Sequence, residues 1–489
     1  MTANTLFKSL CWFALSLVSV AHPVQALSLQ VPQVTVLSGQ EDPLAGQAPL
    51  LSALAKCCTE ARLKQPLSHT LTSKKVAQVG LMSLFSGQSD GWYFEPITNN
   101  GLFRLMADYQ PSHPKAITLD AGVTELGALT KQLNDDNLLR PFKDGYLLSY
   151  PLVIQPGATL LIDHTTLYLA THAGTVIINR GELSLLHSQL SSWRDKSFSL
   201  SLPHFKPFIV SWSDSQTRID HSRLMNLGYE GHLTHGLTLL RHPTQPEGST
   251  AYLESSHSEF SQMDTAITAQ NAILTISEST FHDLHRYGLD LQQVTLLFQQ
   301  NHVENIKLQS GMRIQGHSAA ILRDNLFDRT GKAGIELHQA DGYFDIDHNL
   351  VGHAQSDGLS VRDNEKPTGA LRIRGNLFAN SARSGVVMDS ALNAFITGNR
   401  FTGNAAYAIQ LDQHSLTQGH SVILNNTFFD SGEAAITAKN IRSLLLGNNQ
   451  WNLPPGNHAV FSGDLQALQG TLMKALMDEN TLLKVSQSP

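Results

Sequence analysis

Cysteine is almost missing from this chain of 489 residues, which carries three, Cys11, Cys57 and Cys58. Cys11 falls in a segment read below as an export signal, so the adjacent Cys57 and Cys58 are all that the mature chain would keep. A disulfide framework is therefore excluded. The pair is either a strained vicinal disulfide or two small apolar residues closing "LLSALAKCC", and no function is assigned to it. Charge is also sparse, at 15% of residues with a net charge of -7. Without a basic tract the footprint of a nucleic-acid partner is absent. An anionic substrate would need a local cationic groove set against the overall field. Long apolar runs are lacking too: no stretch reaches the roughly 18 to 20 residues of a membrane helix, so the mature chain is expected to have no membrane span.

What is present begins with a signal-like start. Lys8, the short apolar run "LCWFALSLVSVA" and the small-residue site "VQA" ending at Ala26 fit a secretory signal over residues 1–26. The expectation is an exported, periplasmic protein.

The dominant feature is a repeat. An aliphatic residue is followed two or three residues later by Asn, then by Phe or another apolar residue. Nine or ten residues after the Asn, a Gly or Ala opens an aliphatic-x-aliphatic run. The Asn falls at Asn301, Asn325, Asn349, Asn376, Asn399, Asn426 and Asn449, at intervals of 24, 24, 27, 23, 27 and 23. Ser222, Ser258 and Ser279 fill the slot more loosely. The Gly slot holds Gly288, Gly311, Gly334, Gly358 and Gly385, then Ala408 and Ala435.

A period of this length, with short β-branched runs and no helical periodicity, describes one coil of several strands. Leucine-rich repeats share the period, but their Leu-x-x-Leu-x-Leu pattern is missing, and propellers need longer units. The fold class is thus all-β, a right-handed parallel β-helix over residues 147–451. The Asn is expected to be structural, tolerating an unusual backbone at a coil corner and laddering its amide between coils. Residues 27–140 lack the repeat and are expected to form a small N-terminal domain of unread role. Residues 452–489 include "GDLQALQGTLMKALMDENTLL", whose helical spacing suits a cap on the last coil.

Stacking the strands that follow the Gly slot gives two outward columns. One reads Asp290, Arg313, Glu336, Ser360, Val387, Gln410; the other reads Gln292, Gln315, His338, Arg362, Asp389, Asp412. Ile335 and Leu337 would fill the core while Glu336 and His338 face outward. His338 then has Arg362 on the next coil, about 4.8 Å away, and Glu336 two residues earlier on its own strand. Such a patch suits removal of the C-5 proton of a uronic acid. Arginine stabilises charge building on the adjacent carboxylate, and a neutral imidazole takes the proton near neutral pH. His348 and His353 lie near acidic residues without the spacing of a metal site, so no metal and no cofactor are expected.

The stretches "GATLLIDHTTLYLATHAGTVIINRGELSLLHSQLSSW", "HSRLMNLGYEGHLTHGLTLL" and "SGVVMDSALNAFITGNRF" resemble the periplasmic mannuronan C-5 epimerases of alginate-producing bacteria, in that family's order over roughly residues 147–450. The resemblance implies the same β-helix and a Gly-Ile-Asp-Pro-His-Asp hallmark with a catalytic histidine, followed one coil later by a carboxylate-neutralising arginine. Counted back from "SGVVMD", the hallmark falls on "GIELHQ". His338 takes the place of the base and Arg362 that of the arginine, with Glu336, Leu337 and Gln339 replacing Asp, Pro and Asp. Counted forward from "LGYEGHLTHGL", it falls on "YGLDLQQ", which keeps Asp290 but has Gln292 in place of the base. "GIELHQ" is preferred because it keeps His and Arg at one-coil spacing.

On this reading His338, Arg362 and Glu336 are the catalytic candidates, and Arg313, Gln315, Asp290 and Asp389 would hold neighbouring sugars. The implied partner is an anionic polysaccharide, with a periplasmic polysaccharide export complex as a further candidate. Two alternatives stand beside the epimerase. A lyase would share the proton abstraction but expel the C-4 oxygen, and a non-catalytic β-helix would bind and guide nascent polymer.

Overall fold

A computed structural model describes residues 32–37, 75–84, 91–110, 113–198, 201–362, 370–389, 393–413, 420–452, 459–476 and 481–486. The signal-like segment, Cys57 and Cys58 lie outside the described residues. The chain winds as a right-handed parallel β-helix whose described strands form three long sheets of 15, 15 and 14 strands. One coil runs from Ile335–Ala340 in the site sheet to Tyr343–Asp347 in the second sheet and Leu350–Gly352 in the third. It then re-enters the site sheet at Leu359–Arg362.

The alternation of short strands decides what is inside. Ile335, Leu337, Leu359 and Val361 are fully buried, while Glu336, His338 and Arg362 are partly exposed. One continuous apolar core fills the bore. On the third sheet Phe378, Phe401, Phe428 and Trp451 stack ring on ring at 5.4, 5.3 and 4.8 Å.

The Asn slot is a ladder, as its spacing suggests. The Asn349 backbone N–H and Nδ2 both donate to Asn376 Oδ1, at 2.7 and 3.0 Å, and Asn376 repeats this onto Asn399. The looser serine slot continues it: Ser222 N–H donates to Ser258 Oγ, Ser258 N–H to Ser279 Oγ and Ser279 N–H to Asn301 Oδ1. The unusual backbone sits one residue earlier than expected. His348, Asn425 and Asn448, each preceding a ladder Asn, adopt φ of 52°, 56° and 51°.

The Gly slot has a different cause from left-handed φ. A Cβ on Gly358 would come within 2.6 Å of Gly385 O, and one on Gly385 within 2.8 Å of Ala408 O. Adjacent coils simply approach too closely there for a side chain.

At the N-terminal end the sheets reach past the expected start at Leu147. Lys115–Asp120 already pairs with Leu152–Ile154, and Gly122–Glu125 with Ala158–Asp163. Residues 91–110 also depart from the expected separate domain. Phe94, Ile97, Leu102 and Met106 share a core with Val153, Val176, Ile178 and Trp212, on the outer face of the first coils. The missing repeat signal reflects packing onto the coils rather than into them. At the C-terminal end, Gln469–Leu476 is helical, and Leu482–Ser486 pairs antiparallel with Ser443–Gly447. Gln33–Leu37, from the start of the described chain, pairs antiparallel on that strand.

Candidate active site

His338 and Arg362 are register partners on adjacent parallel strands of the site sheet, and Gln315 partners His338 on the other side. Arg313 partners Glu336, Asp290 partners Arg313, and Gln292 partners Gln315. The two columns read from the sequence are thus adjacent in space from Asp290 to Arg362. Beyond it, Asp389 is in register with Asp412. The first column loses its polar character at Val387, which is fully buried.

A β-bulge follows His338. Gln315 pairs with His338, but Gly316 pairs with Ala340, leaving Gln339 as an extra residue at a φ of 50°. Such an insertion bends the strand and re-aims neighbouring side chains, and His338 is the residue next to it.

The side chains are committed more tightly than register alone reveals. Arg313 donates from Nε and Nη2 to the two oxygens of Asp290 at 2.8 and 2.7 Å, with its guanidinium 4.5 Å from the Tyr287 ring centroid. Burial disfavours the Arg313 charge, but the Asp290 hydrogen bonds and charge outweigh it and raise its pKa. Burial also pushes the Tyr287 phenol up to about 12, keeping it protonated at neutral pH. Glu336 accepts from Ser310 Oγ at 2.6 Å rather than meeting Arg313. The charged groups of this column are thus resolved into an Arg313–Asp290 pair and a Glu336–Ser310 bond. Asp290 and Arg313 are joined to each other rather than standing open toward neighbouring sugars.

Arg362 has a partner that the sequence reading missed. Its Nη2 donates to Asp357 Oδ2 at 3.1 Å, and Asp357 is 1% exposed. Asp357 Oδ1 also accepts the Ser384 N–H at 3.2 Å. A signal was present: Asp357, Ser310 and Tyr287 each immediately precede a Gly-slot residue. Reading that column would have brought all three to the mouths of the site strands.

A cavity of about 1160 Å³ lies at the turns leading into the site sheet. Arg194, Lys206, Tyr229, Asp264, His285 and Lys307 are among the residues that line it. Its last turn, through Lys307, leads to Met312–Gly316, the strand beside that of His338. Burial pushes the Lys206 ammonium down, with Asp264 opposing. Its lining sets Arg194, Lys206 and Lys307 among Glu230, Asp264 and Asp283, and the turns between repeats hid it from a strand-based reading.

A family model described as NosD, a periplasmic copper-binding protein, matches residues 236–461. Mannuronan C5-epimerase AlgG of Azotobacter vinelandii is 24% identical over 368 residues, spanning 72% of this chain and 66% of that protein. Mannuronan C5-epimerase of Pseudomonas putida is 22% identical over 427 residues, spanning 83% and 79%. The chain is a divergent relative of the mannuronan C5-epimerases. The crystal structure of the periplasmic alginate epimerase AlgG superposes with a TM-score of 0.69 at 17% identity, covering 82% of this chain and 98% of that one. That superposition establishes the shared β-helix fold.

Proposed function

We propose that this protein is a C-5 epimerase of uronate residues in an exported anionic polysaccharide of the alginate class, acting in the periplasm. The observation that carries the reading is the register pairing of His338 with Arg362 on the outward face of the site sheet. Its relatives named mannuronan C5-epimerase support the substrate class, and the signal-like residues 1–26 support export.

The chemistry follows from the placement. Arg362 pairs with the uronate carboxylate and stabilises charge that develops on it as the C-5 hydrogen leaves. His338 takes that proton as a general base. Return of a proton to the opposite face of C-5 gives the epimer, with no net gain or loss of atoms. In the cavity that leads to the site sheet, Lys206 and Lys307 would pair with carboxylates of the flanking sugars, set among Glu230, Asp264 and Asp283. Gln315, in register with His338, would hold the neighbouring residue, and Asp389 is proposed as a more distal contact.

One observation favours a non-catalytic, polymer-guiding reading: Arg362 is already engaged by buried Asp357, and its Nε is inaccessible without a hydrogen-bond partner. Purified protein with a mannuronate-rich polymer in D2O, followed by proton NMR, separates the readings. Epimerisation yields guluronate signals with deuterium at C-5, and His338→Ala removes them. Binding without conversion would support the guiding role, and an unsaturated uronate absorbing in the ultraviolet would instead support a lyase.

A further inference from the structure

At the corner between the second and third sheets, on the coils nearest the N-terminus, four imidazoles form a column. His164, His187, His221 and His257 each occupy the residue before the ladder slot, with φ of 48°, 48°, 46° and 48°. Successive rings stand 4.6, 5.0 and 4.4 Å apart and within 16°, 18° and 8° of parallel. Carboxylates interleave with them. Asp163 Oδ1 lies 2.6 Å from His164 Nδ1, Asp220 Oδ1 lies 3.0 Å from His221 Nδ1, and Glu278 lies 3.0 Å from His257 Nε2.

The left-handed backbone does not require histidine. The same column holds Glu278, Gln300, Asp324, Gly375 and Asn425 on later coils. Histidine on four successive coils is therefore a choice of side-chain chemistry.

We propose that this column binds late first-row divalent metal ions such as Zn²⁺ or Cu²⁺, in two sites. One is formed by Asp163, His164 and His187, the other by Asp220, His221 and His257. In each group one ligand atom per residue lies within 4.8 Å of the others. Bonds of about 2.0 to 2.1 Å place two ligands of one ion roughly 3.3 to 4.2 Å apart, a closure that side-chain rotation supplies, with half-buried Asp220 giving up its bond from Ser256 Oγ. Two imidazoles with one carboxylate select this class of ion over Ca²⁺ or Mg²⁺, which prefer all-oxygen shells, and leave a position open to water. Each site joins consecutive coils, so a bound ion clips together the N-terminal end of the stack. The column lies on a different corner from His338 and is independent of the proposed epimerase reaction.

The test uses the full chain, titrated calorimetrically with Zn²⁺ and separately with Cu²⁺ near neutral pH. Wild type should take up two equivalents and melt at a higher temperature with metal. Asparagine keeps the left-handed backbone, as Asn425 and Asn448 do at the equivalent position. His187→Asn should leave one equivalent, and His187→Asn with His221→Asn should leave none while the metal-free melting temperature stays near that of wild type. His348→Asn, in the same column but between Asp324 and Gly375, should keep both. Wild type without saturable uptake, or a double variant that binds as wild type does, would overturn the proposal.

Discussion

Arg362 stands directly across from His338, yet its guanidinium turns back to Asp357, with Nη2 donating to Oδ2 at 3.1 Å. A buried carboxylate at the end of the preceding turn therefore sets where the cationic edge points.

If Asp357 positions Arg362 for a uronate carboxylate, Asp357→Asn should lower turnover roughly 10- to 100-fold, as misplacing a charged partner by about 1 Å does. The asparagine oxygen can still accept the Ser384 N–H, but its NH2 replaces the oxygen that accepts from Arg362 and Ser356, so a stability loss of about 1 to 3 kcal/mol should accompany the change. Steady-state kinetics beside a urea melt checks the pair. A large stability loss with unchanged turnover would make Asp357 purely structural.

Under the epimerase reading, His338→Gln should lower the rate about 10²- to 10⁴-fold, the usual worth of a general base. Because His338 is partly exposed, the melting temperature should hardly move. Loss of rate accompanied by loss of fold would leave His338 without a catalytic role.

Asn376→Ala removes two acceptor bonds to Asn349 and the donor bonds to Asn399 Oδ1 and Ile346 O. Each buried orphan costs about 1 to 3 kcal/mol, so chemical denaturation should show a loss of several kcal/mol. Asn399→Ala should behave alike, since the ladder repeats.

Gly358→Ala should destabilise by about 1 to 3 kcal/mol, because the added Cβ meets backbone rather than a movable side chain. Gly157→Ala is the contrast: no atom lies within 4 Å of its Cβ, and only the strain of its φ of 80° remains. The two melts separate close approach from backbone conformation.

Asp347 is 2% exposed and takes Arg374 in a bidentate pair at 3.0 and 2.6 Å. Burial alone would raise its pKa, but hydrogen bonding and charge from Arg374 hold it below the ordinary 3.8. The folded carboxyl thus binds its proton less readily than the unfolded one. Its stabilisation is fully present above the unfolded value and is lost as pH falls through the folded one. Stability measured from pH 6 downward should fall most steeply below about 4 in wild type and less steeply in Asp347→Asn.

The solenoid was legible because successive coils repeat one pattern: Asn376 and Gly358 mark slots filled by Asn or Ser and by Gly or Ala from coil to coil. The pairing of His338 with Arg362 followed from that register alone. Where Arg313 and Arg362 point was not legible: Arg313 has a carboxylate on each register neighbour, Asp290 and Glu336, and Arg362 reaches back to Asp357, outside its register. Residues 91–110 escaped because they pack on the outside of the coils, where Ile97 and Met106 need only an apolar face and no period. The histidine column escaped because His164 and His221 occupy corners, and the reading followed strands.

Gln33–Leu37 closes the far end of the stack from the segment that follows it, lying against Leu482–Ser486. Repeat proteins are stabilised chiefly by neighbours and tend to fray from their termini. Here the first described strand can dock only after the last has formed. During synthesis from the N-terminus Gln33–Leu37 must wait for this partner until Leu482–Ser486 has emerged. The finished molecule is then latched by a contact whose partners lie at opposite ends of the sequence. Removal of the final few residues would unlatch the beginning of the chain as well as its end.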